Sequence, residues 1–425
     1  MHRLLRLFPV RLIAFGVCCA LLAGRSCHRI VRPKLWAEDG GVFLPEAYES
    51  GFWHFIEPYA GYQHLIPRLI AKIATSLPVT AIPAFLVVCC WLLLAWCLSE
   101  PASARFTALR AGSLVRIALC AGLCLAPGLV EVLGNLANLH SIAALWLLLL
   151  GARAAGARLR WAELVAVVLC TFSAGEAVLL FPLFAWRVLS SRWRGPGRSD
   201  DLLVTAAIVV ATIANAVSHL SQPSDPAAGS SGEIAKTALH TIAYGLAIEP
   251  LAGSTGAARL WKAAPVVYGA LAVALLALLA VAALRDKTRQ TVALAIGIAC
   301  LALLPLLTGI VRSPWLADGP SEAFAWWRYS FQLAPIGLVA WAVLLSRWPS
   351  SSAPWAAGAL ALVAVLLALP RWGIDELQAP RWGKAVEEAR TSRTGGCAAG
   401  ARWVDVPIAP AGWVATLPRG VVCDR

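Results

Sequence analysis

Phe8-Pro9-Val10-Arg11-Leu12-Ile13-Ala14-Phe15-Gly16-Val17-Cys18-Cys19-Ala20-Leu21-Leu22-Ala23-Gly24 is an apolar run that Arg25, His28, Arg29 and Arg32 follow directly. A short run after Arg3 and Arg6 resembles a secretory leader, but no small-residue cleavage site comes after it. It reads as an uncleaved first membrane span that leaves the N-terminus in the cytoplasm. The same composition recurs almost to the end of the chain. The sequence is 59% hydrophobic and 14% charged, with a mean hydropathy of +0.71, where soluble domains carry about 25% charged residues. That balance excludes an ordinary soluble enzyme.

Eleven apolar cores follow from a scan at about 20 residues per crossing. They lie near 8–27, 79–98, 113–131, 137–151, 162–174, 176–189, 202–220, 264–284, 290–311, 329–346 and 354–370. The fifth and sixth are short and divided only by Ser173-Ala174-Gly175-Glu176. They are expected to tilt, break or re-enter, which a bilayer tolerates where protein shields the backbone. The predicted fold is an all-α polytopic membrane protein. Residues 1–370 form one integral domain with a large first extracytoplasmic loop at 28–78, and 371–425 form a small extracytoplasmic tail. No internal repeat is visible, which argues against transporters built from duplicated halves.

Orientation follows from basic residues in short loops. Arg105 and Arg110, then Arg153, Arg158 and Arg160, then Arg187, Arg192, Arg194 and Arg198 fall in alternate connections. Arg285, Lys287, Arg289 and Arg347 continue the pattern, while the turns near Asn135 and Gly175 carry no basic residue. The expected location is the plasma membrane, multi-pass, with the C-terminus extracytoplasmic. The net charge of +13 is thereby accounted for without a nucleic-acid partner. Ten of the twelve cysteines lie in or beside apolar runs, where Cys behaves as a small hydrophobe. Cys397 and Cys423 lie in the tail and are expected to pair in an oxidising compartment. No cysteine or histidine spacing matches a metal site.

The first loop carries the chemistry. Trp36-Ala37-Glu38-Asp39-Gly40 and Tyr59-Ala60-Gly61-Tyr62-Gln63-His64-Leu65-Ile66-Pro67-Arg68 combine carboxylates, aromatics, a histidine and an arginine. A lone Asp-Gly is a common turn, but this loop is far richer. Leu65, Ile66, Leu69, Ile70, Ile73 and Leu77 recur at helical spacing with Arg68, Lys72 and Ser76 between them. The pattern predicts an interfacial helix, basic on its wet side, that presents Arg68 to a lipid phosphate. Asn135, Asn138, His140, Glu176 and Arg328 fall at similar membrane depth, where ionisable and polar groups are functional candidates by default.

Together these features resemble the GT-C superfamily of polyprenyl-phosphate-sugar-dependent glycosyltransferases. The strings Trp-Ala-Glu-Asp-Gly, Tyr-Ala-Gly-Tyr and Asn135-Leu136-Ala137-Asn138-Leu139-His140 resemble an uncharacterised actinobacterial-type branch of it. So do the Arg328-Tyr329 pair and the tail string Val406-Pro407-Ile408-Ala409-Pro410-Ala411-Gly412-Trp413. The resemblance implies transfer of a sugar from a polyprenyl-phosphate donor to a glycan or other hydroxyl acceptor on the outer face, with inversion. It maps the general base onto Asp39, with Glu38 second. A positioned carboxylate contributes about 10²–10⁴-fold to such a step. Gly40 and Gly41 are expected to free the backbone to turn that carboxylate. Trp36, Tyr59, Tyr62, His64, Asn138, His140, Glu176 and Tyr329 are expected to line the substrate site. Arg68 and Arg328 are suited to the phosphate, which guanidinium binds through paired charge-assisted bonds. Partners are then the lipid-linked donor, the acceptor and membrane lipids. No cofactor is assigned, and a divalent metal is left open. The competing expectations are a flippase or transporter of lipid-linked sugars without chemistry, and a catalytically inactive assembly protein of the same fold.

Overall fold

The computed structural model describes residues 9–49, 51, 55–126, 129–154, 159–190, 198–221, 238–285, 288–304, 333–347, 353–368, 381–391, 397, 401–410 and 412–424. The described chain is mostly helical. Its main helices are α1 (Val10–Val31), α2 (Leu65–Ala74), α3 (Ile82–Leu98), α4 (Ser113–Leu125), α5 (Leu139–Gly151), α6 (Trp161–Thr171) and α7 (Phe181–Ser190). They continue with α8 (Arg198–Ser221), α9 (Glu249–Ala263), α10 (Pro265–Arg285), α11 (Arg289–Ala302), α12 (Leu333–Ser346), α13 (Ala353–Ala368) and α14 (Trp382–Thr391). A two-stranded antiparallel hairpin, β1 (Trp403–Pro407) and β2 (Val414–Pro418), follows in the tail.

Among the described residues three helices are long and apolar enough to cross a membrane: Val10–Val31, Val79–Leu98 and Ser199–Ser218. Ser113–Leu125, Leu139–Gly151, Gln290–Ala302 and Leu333–Ser346 are shorter apolar helices among the described residues. Leu12, Leu92, Val165, Ile213, Val217 and Val266 point outward with most or half of their surface bare. Such apolar surface on many helices suits lipid rather than water. At the centre, α5 is the opposite case. All of its side chains except His140 are buried, as expected of a helix hydrophobic on every face.

The fifth and sixth apolar runs are one broken unit. Helix α6 and the segment Gly175–Ser190 meet at a bend of 114° across Phe172–Ala174. Both arms return to the same end of the molecule. Glu163 in the first turn of α6 accepts from Arg105 at 2.7 Å and Arg153 at 2.9 Å. Arg187 near the end of α7 donates to the carbonyls of Gly151 and Arg153 at 2.7 and 2.9 Å.

That end is a plate of paired charge. Arg153 grips Glu100 with two bonds, Nε to Oε1 at 2.6 Å and the second guanidinium nitrogen to Oε2 at 2.7 Å. Arg11 joins Glu100 at 2.9 Å and lies 3.9 Å from the centre of the Trp96 ring. Arg347 ties in the α10–α11 connection through Thr288 Oγ1 at 2.8 Å and the Ala108 carbonyl at 2.7 Å. The arginines of the short loops thus do more than set charge asymmetry; they close this end by hydrogen bonding. Trp96, Trp161 and Trp186 lie partly or largely exposed within a few residues of it, as in the aromatic belt of a membrane interface.

At the opposite end the tail packs on the first loop. Trp36 and Ala409 form a parallel bridge, with Ala37 N donating to Ala409 O at 2.5 Å and Ala409 N to Leu35 O at 3.0 Å. The buried Trp382 donates its ring N–H to Val79 O at 2.7 Å and its backbone N–H to Pro33 O at 3.1 Å. Cys397 and Cys423 are disulfide-bonded, with Cα atoms 5.9 Å apart. Loop and tail form one joined layer.

Removing a partner from the charged plate strands buried charge. Glu100, fully buried, is therefore expected to lose about 3–5 kcal/mol of stability on change to Leu. Changing Glu387, whose side chain is 62% exposed, costs at most about 1 kcal/mol. Thermal melts of both variants in one detergent check the contrast.

Candidate functional site

Four pieces of chain meet at the end of α5 away from the charged plate. The first is a tight turn. Tyr59 and Tyr62 exchange backbone bonds, Tyr59 N to Tyr62 O at 3.0 Å and Tyr62 N to Tyr59 O at 3.3 Å. Ala60 and Gly61 between them hold φ of +51° and +87°, the sign pair of a type I′ turn. Glycine takes this conformation freely, whereas an alanine there costs roughly 1–2 kcal/mol. The surroundings hold the turn in place. Gln63 donates its backbone N–H to Asn215 Oδ1 and its side-chain amide to Ser218 Oγ, each at 3.0 Å. Leu65 N reaches Phe172 O at 3.3 Å and Ile66 N reaches Ser173 Oγ at 2.8 Å. The start of α2 is thus seated on the break between α6 and α7.

This seating gathers rings. The His64 ring lies 4.1 Å from Tyr62, 5.2 Å from Phe43 and 5.7 Å from Tyr59, measured between ring centres. Tyr62 meets His140 edge to face at 5.7 Å. His140 Nδ1 lies 2.5 Å from Glu176 Oε1, joining the first turn of α5 to the residue after the helix break. Tyr62, His64, His140 and Glu176, drawn from three distant parts of the sequence, therefore form one contiguous group. Asn138 borders it at the start of α5, where its N–H lies 3.4 Å from Asn135 Oδ1.

Asp39 belongs to the same end but faces inward. Its Oδ2 accepts from Leu136 N at 2.9 Å and its Oδ1 from Ala137 N at 3.0 Å. Only 1% of the residue is exposed. Burial pushes its pKa up to about 8, against the two amide bonds that favour the ionised form. Glu38 is half-buried beside it. The acidic pair is thus split, with one carboxylate locked into the protein and the other nearer the surface.

Several expectations change. Arg68 is fully buried and ion-paired with Glu46, with its guanidinium 5.7 Å from the Phe43 ring. Helix α2 therefore turns Arg68 inward, while Lys72 stays exposed as expected and Ile73 joins it at 58% exposure. The reason is tertiary: Glu46 supplies a countercharge that a helical repeat cannot reveal. Gly40 and Gly41 also serve differently. A Cβ on Gly40 would sit 2.8 Å from Ile408 Cδ1, and one on Gly41 would sit 2.9 Å from the Trp413 ring. They admit the tail rather than loosening the backbone. Trp36 is used through its backbone bridge to Ala409, and among the described residues its ring joins none of the site aromatics. Arg328 and Tyr329 lie outside the described residues.

Gln63, Asn215, Ser218, Ser173 and Glu46 position the site and were not singled out from sequence. Asn215 and Ser218 carried a usable signal, being polar residues within the largely apolar stretch 202–218 of α8. Among the described residues no group of three His, Cys, Asp or Glu side chains is placed to hold a metal ion. No family model matches the chain, and neither a curated protein nor a solved structure does.

The Asp39 geometry makes a definite prediction. Asn has one accepting oxygen, so Asp39→Asn leaves one of the Leu136 and Ala137 amides unsatisfied, costing about 1–3 kcal/mol. Because the folded pKa is raised from 3.8 to about 8, the carboxyl stabilises the fold most below pH 4. That contribution is lost as pH rises towards 8. Melting curves across pH 5–8 should slope more steeply for the wild type than for Asp39→Asn.

Proposed function

We propose that the chain is a membrane glycosyltransferase that moves a sugar from a polyprenyl-phosphate donor to a hydroxyl acceptor. The observation that supports it is the convergence of Tyr62, His64, His140 and Glu176 beside Asp39 at one end of an apolar bundle. Aromatic faces suit sugar rings, and a hydrogen-bonded acid–base pair suits deprotonation of a poor nucleophile. An apolar surface beside the site suits a lipid tail. The resemblance to GT-C enzymes in the first-loop strings points the same way.

In this reading the eleven apolar segments all lie in the bilayer, some as half-crossings. The charged plate marks the cytoplasmic face, and the loop and tail lie outside. Helix α5, at 13 residues, is only about 20 Å long against a hydrocarbon core of about 30 Å. With Gly151 at the cytoplasmic plate, His140 then sits roughly 10 Å below the outer surface. Helix α6, with 11 residues, brings Glu176 to a similar depth. In this reading a lipid-borne phosphosugar reaches the site from the side and a polar acceptor from above. Broken helices are tolerated at such depth where they line a polar site.

Topology is checked by cysteine labelling in a background cleared of exposed native cysteines. Glu57→Cys and Lys384→Cys should react from outside intact cells, and Arg285→Cys only after lysis. The opposite pattern inverts the orientation.

Activity is checked with purified full-length protein, farnesyl-phosphate-linked pentoses and hexoses, and alkyl glycoside acceptors. A new glycosidic bond of inverted anomeric configuration is expected from at least one donor. Movement of the labelled lipid across vesicles with no new bond formed would replace transfer by flipping.

A further inference from the structure

We infer that His140, oriented by Glu176, is the acid–base group of this site, and that Asp39 is a positioning residue. The inference rests on the transferase reading for the identity of the reaction, but its geometry stands apart from it.

Asp39 and His140 are built for different tasks. Asp39 has each oxygen taken by a backbone amide and 1% of its surface exposed. Those bonds tie the first loop to the turn that begins α5, and a carboxylate that moved to meet a substrate would release both. His140 has one nitrogen engaged and one presented. Nδ1 lies 2.5 Å from Glu176 Oε1 and 3.3 Å from Ser141 Oγ. Nε2 has no hydrogen-bond partner among the described residues, and 14% of the side chain remains exposed. A carboxylate on Nδ1 fixes the tautomer that leaves Nε2 basic, as in a general base held by a third group.

The support around the pair fits that role. Glu176 follows directly on the break between α6 and α7, so its carboxylate reaches α5 from a different element. Gly175 lets the Tyr62 ring approach, since a Cβ there would lie 3.2 Å from Tyr62 Cγ. Tyr62 in turn packs its ring against both His64 and His140. The imidazole is thereby held by a ring on one side and an acid on another.

The step balances with these groups alone. The acceptor O–H bond breaks and its proton passes to His140 Nε2. The freed oxygen forms the bond to the anomeric carbon as the bond from that carbon to the phosphate oxygen breaks. The electron pair of that bond leaves on the lipid phosphate, and the Glu176 carboxylate stabilises the imidazolium.

Two readouts test this. The first is ¹⁵N NMR of histidine-labelled full-length protein, with His140 assigned by its loss in His140→Gln. The expected signal is Nδ1 protonated and Nε2 unprotonated at neutral pH, with that tautomer lost in Glu176→Gln. An Nε2–H tautomer in the wild type overturns the inference, whatever the activity. The second is turnover of a farnesyl-phosphate-linked sugar that the wild type accepts. His140→Gln and Glu176→Gln should lose at least about 100-fold while still binding farnesyl phosphate. Added imidazole should restore part of the rate of His140→Ala, which a merely structural role would not allow. Asp39→Asn, assayed below its lowered melting point, should stay within about 10-fold. Full activity in folded His140→Gln, with loss in Asp39→Asn, overturns the assignment while leaving the transferase reading intact. A wild type inert on every donor removes the transferase reading, and the tautomer then decides the His140–Glu176 pair by itself.

Discussion

One carboxylate holds the two halves of the site together. Asp39 accepts from consecutive amides, Leu136 and Ala137, in the turn that starts the central helix. Those amides have no helical partner of their own, so a fixed acceptor satisfies them and sets where α5 begins. The first loop, 97 and 98 residues away in sequence, is pinned by the same bonds. The Tyr59–Tyr62 turn and the start of α2 complete the site through their own bonds to Asn215, Ser218, Phe172 and Ser173. The cost of burying the carboxyl shows in its raised pKa. That cost is the physical sign of a residue retained for position.

Polar chemistry is segregated to the two ends of an apolar bundle, and each end solves it differently. At the charged plate, Arg11, Arg105 and Arg153 share Glu100 and Glu163, so every carboxylate oxygen in the cluster has a cation near it. This is a closed network with strong geometric demands and little left over. At the site end the groups are fewer and not all committed. His140 keeps Nε2 open, and Glu38 remains half-buried. The closed end fits anchorage, and the open end fits exchange of protons and ligands.

The tail is part of this open end. Its backbone bridges Trp36, its hairpin packs on the segment that starts at Asp39, and Trp382 bonds to both flanks of the first loop. Gly40 and Gly41 are small because Ile408 and Trp413 occupy the space a side chain would take. A loop of this length would otherwise be free to sample many conformations. The tail and the disulfide between Cys397 and Cys423 restrict that freedom from outside, while Asp39 does so from within.

The sequence alone pointed to a membrane class through its 59% hydrophobic composition, and three described helices are long and apolar enough to cross a bilayer. Described helices overlap the expected cores, although only those three are long and apolar enough to cross, and the break at Ser173–Glu176 was flagged from the shortness of its two arms. Local polarity was enough to nominate Asp39, Tyr62, His64, His140 and Glu176 as site residues. Their roles were not legible. Whether a carboxylate faces a substrate or two buried amides depends on a partner nearly a hundred residues away, and no local pattern encodes that. Helical periodicity placed Arg68 on the wet face because Glu46, 22 residues earlier, was invisible to a repeat of 3.6. The same limit hid Gln63 and Asn215, which are joined across 152 residues. Tertiary structure decided which polar groups are committed to one another and which are left to act, because that choice is made by contact and not by composition.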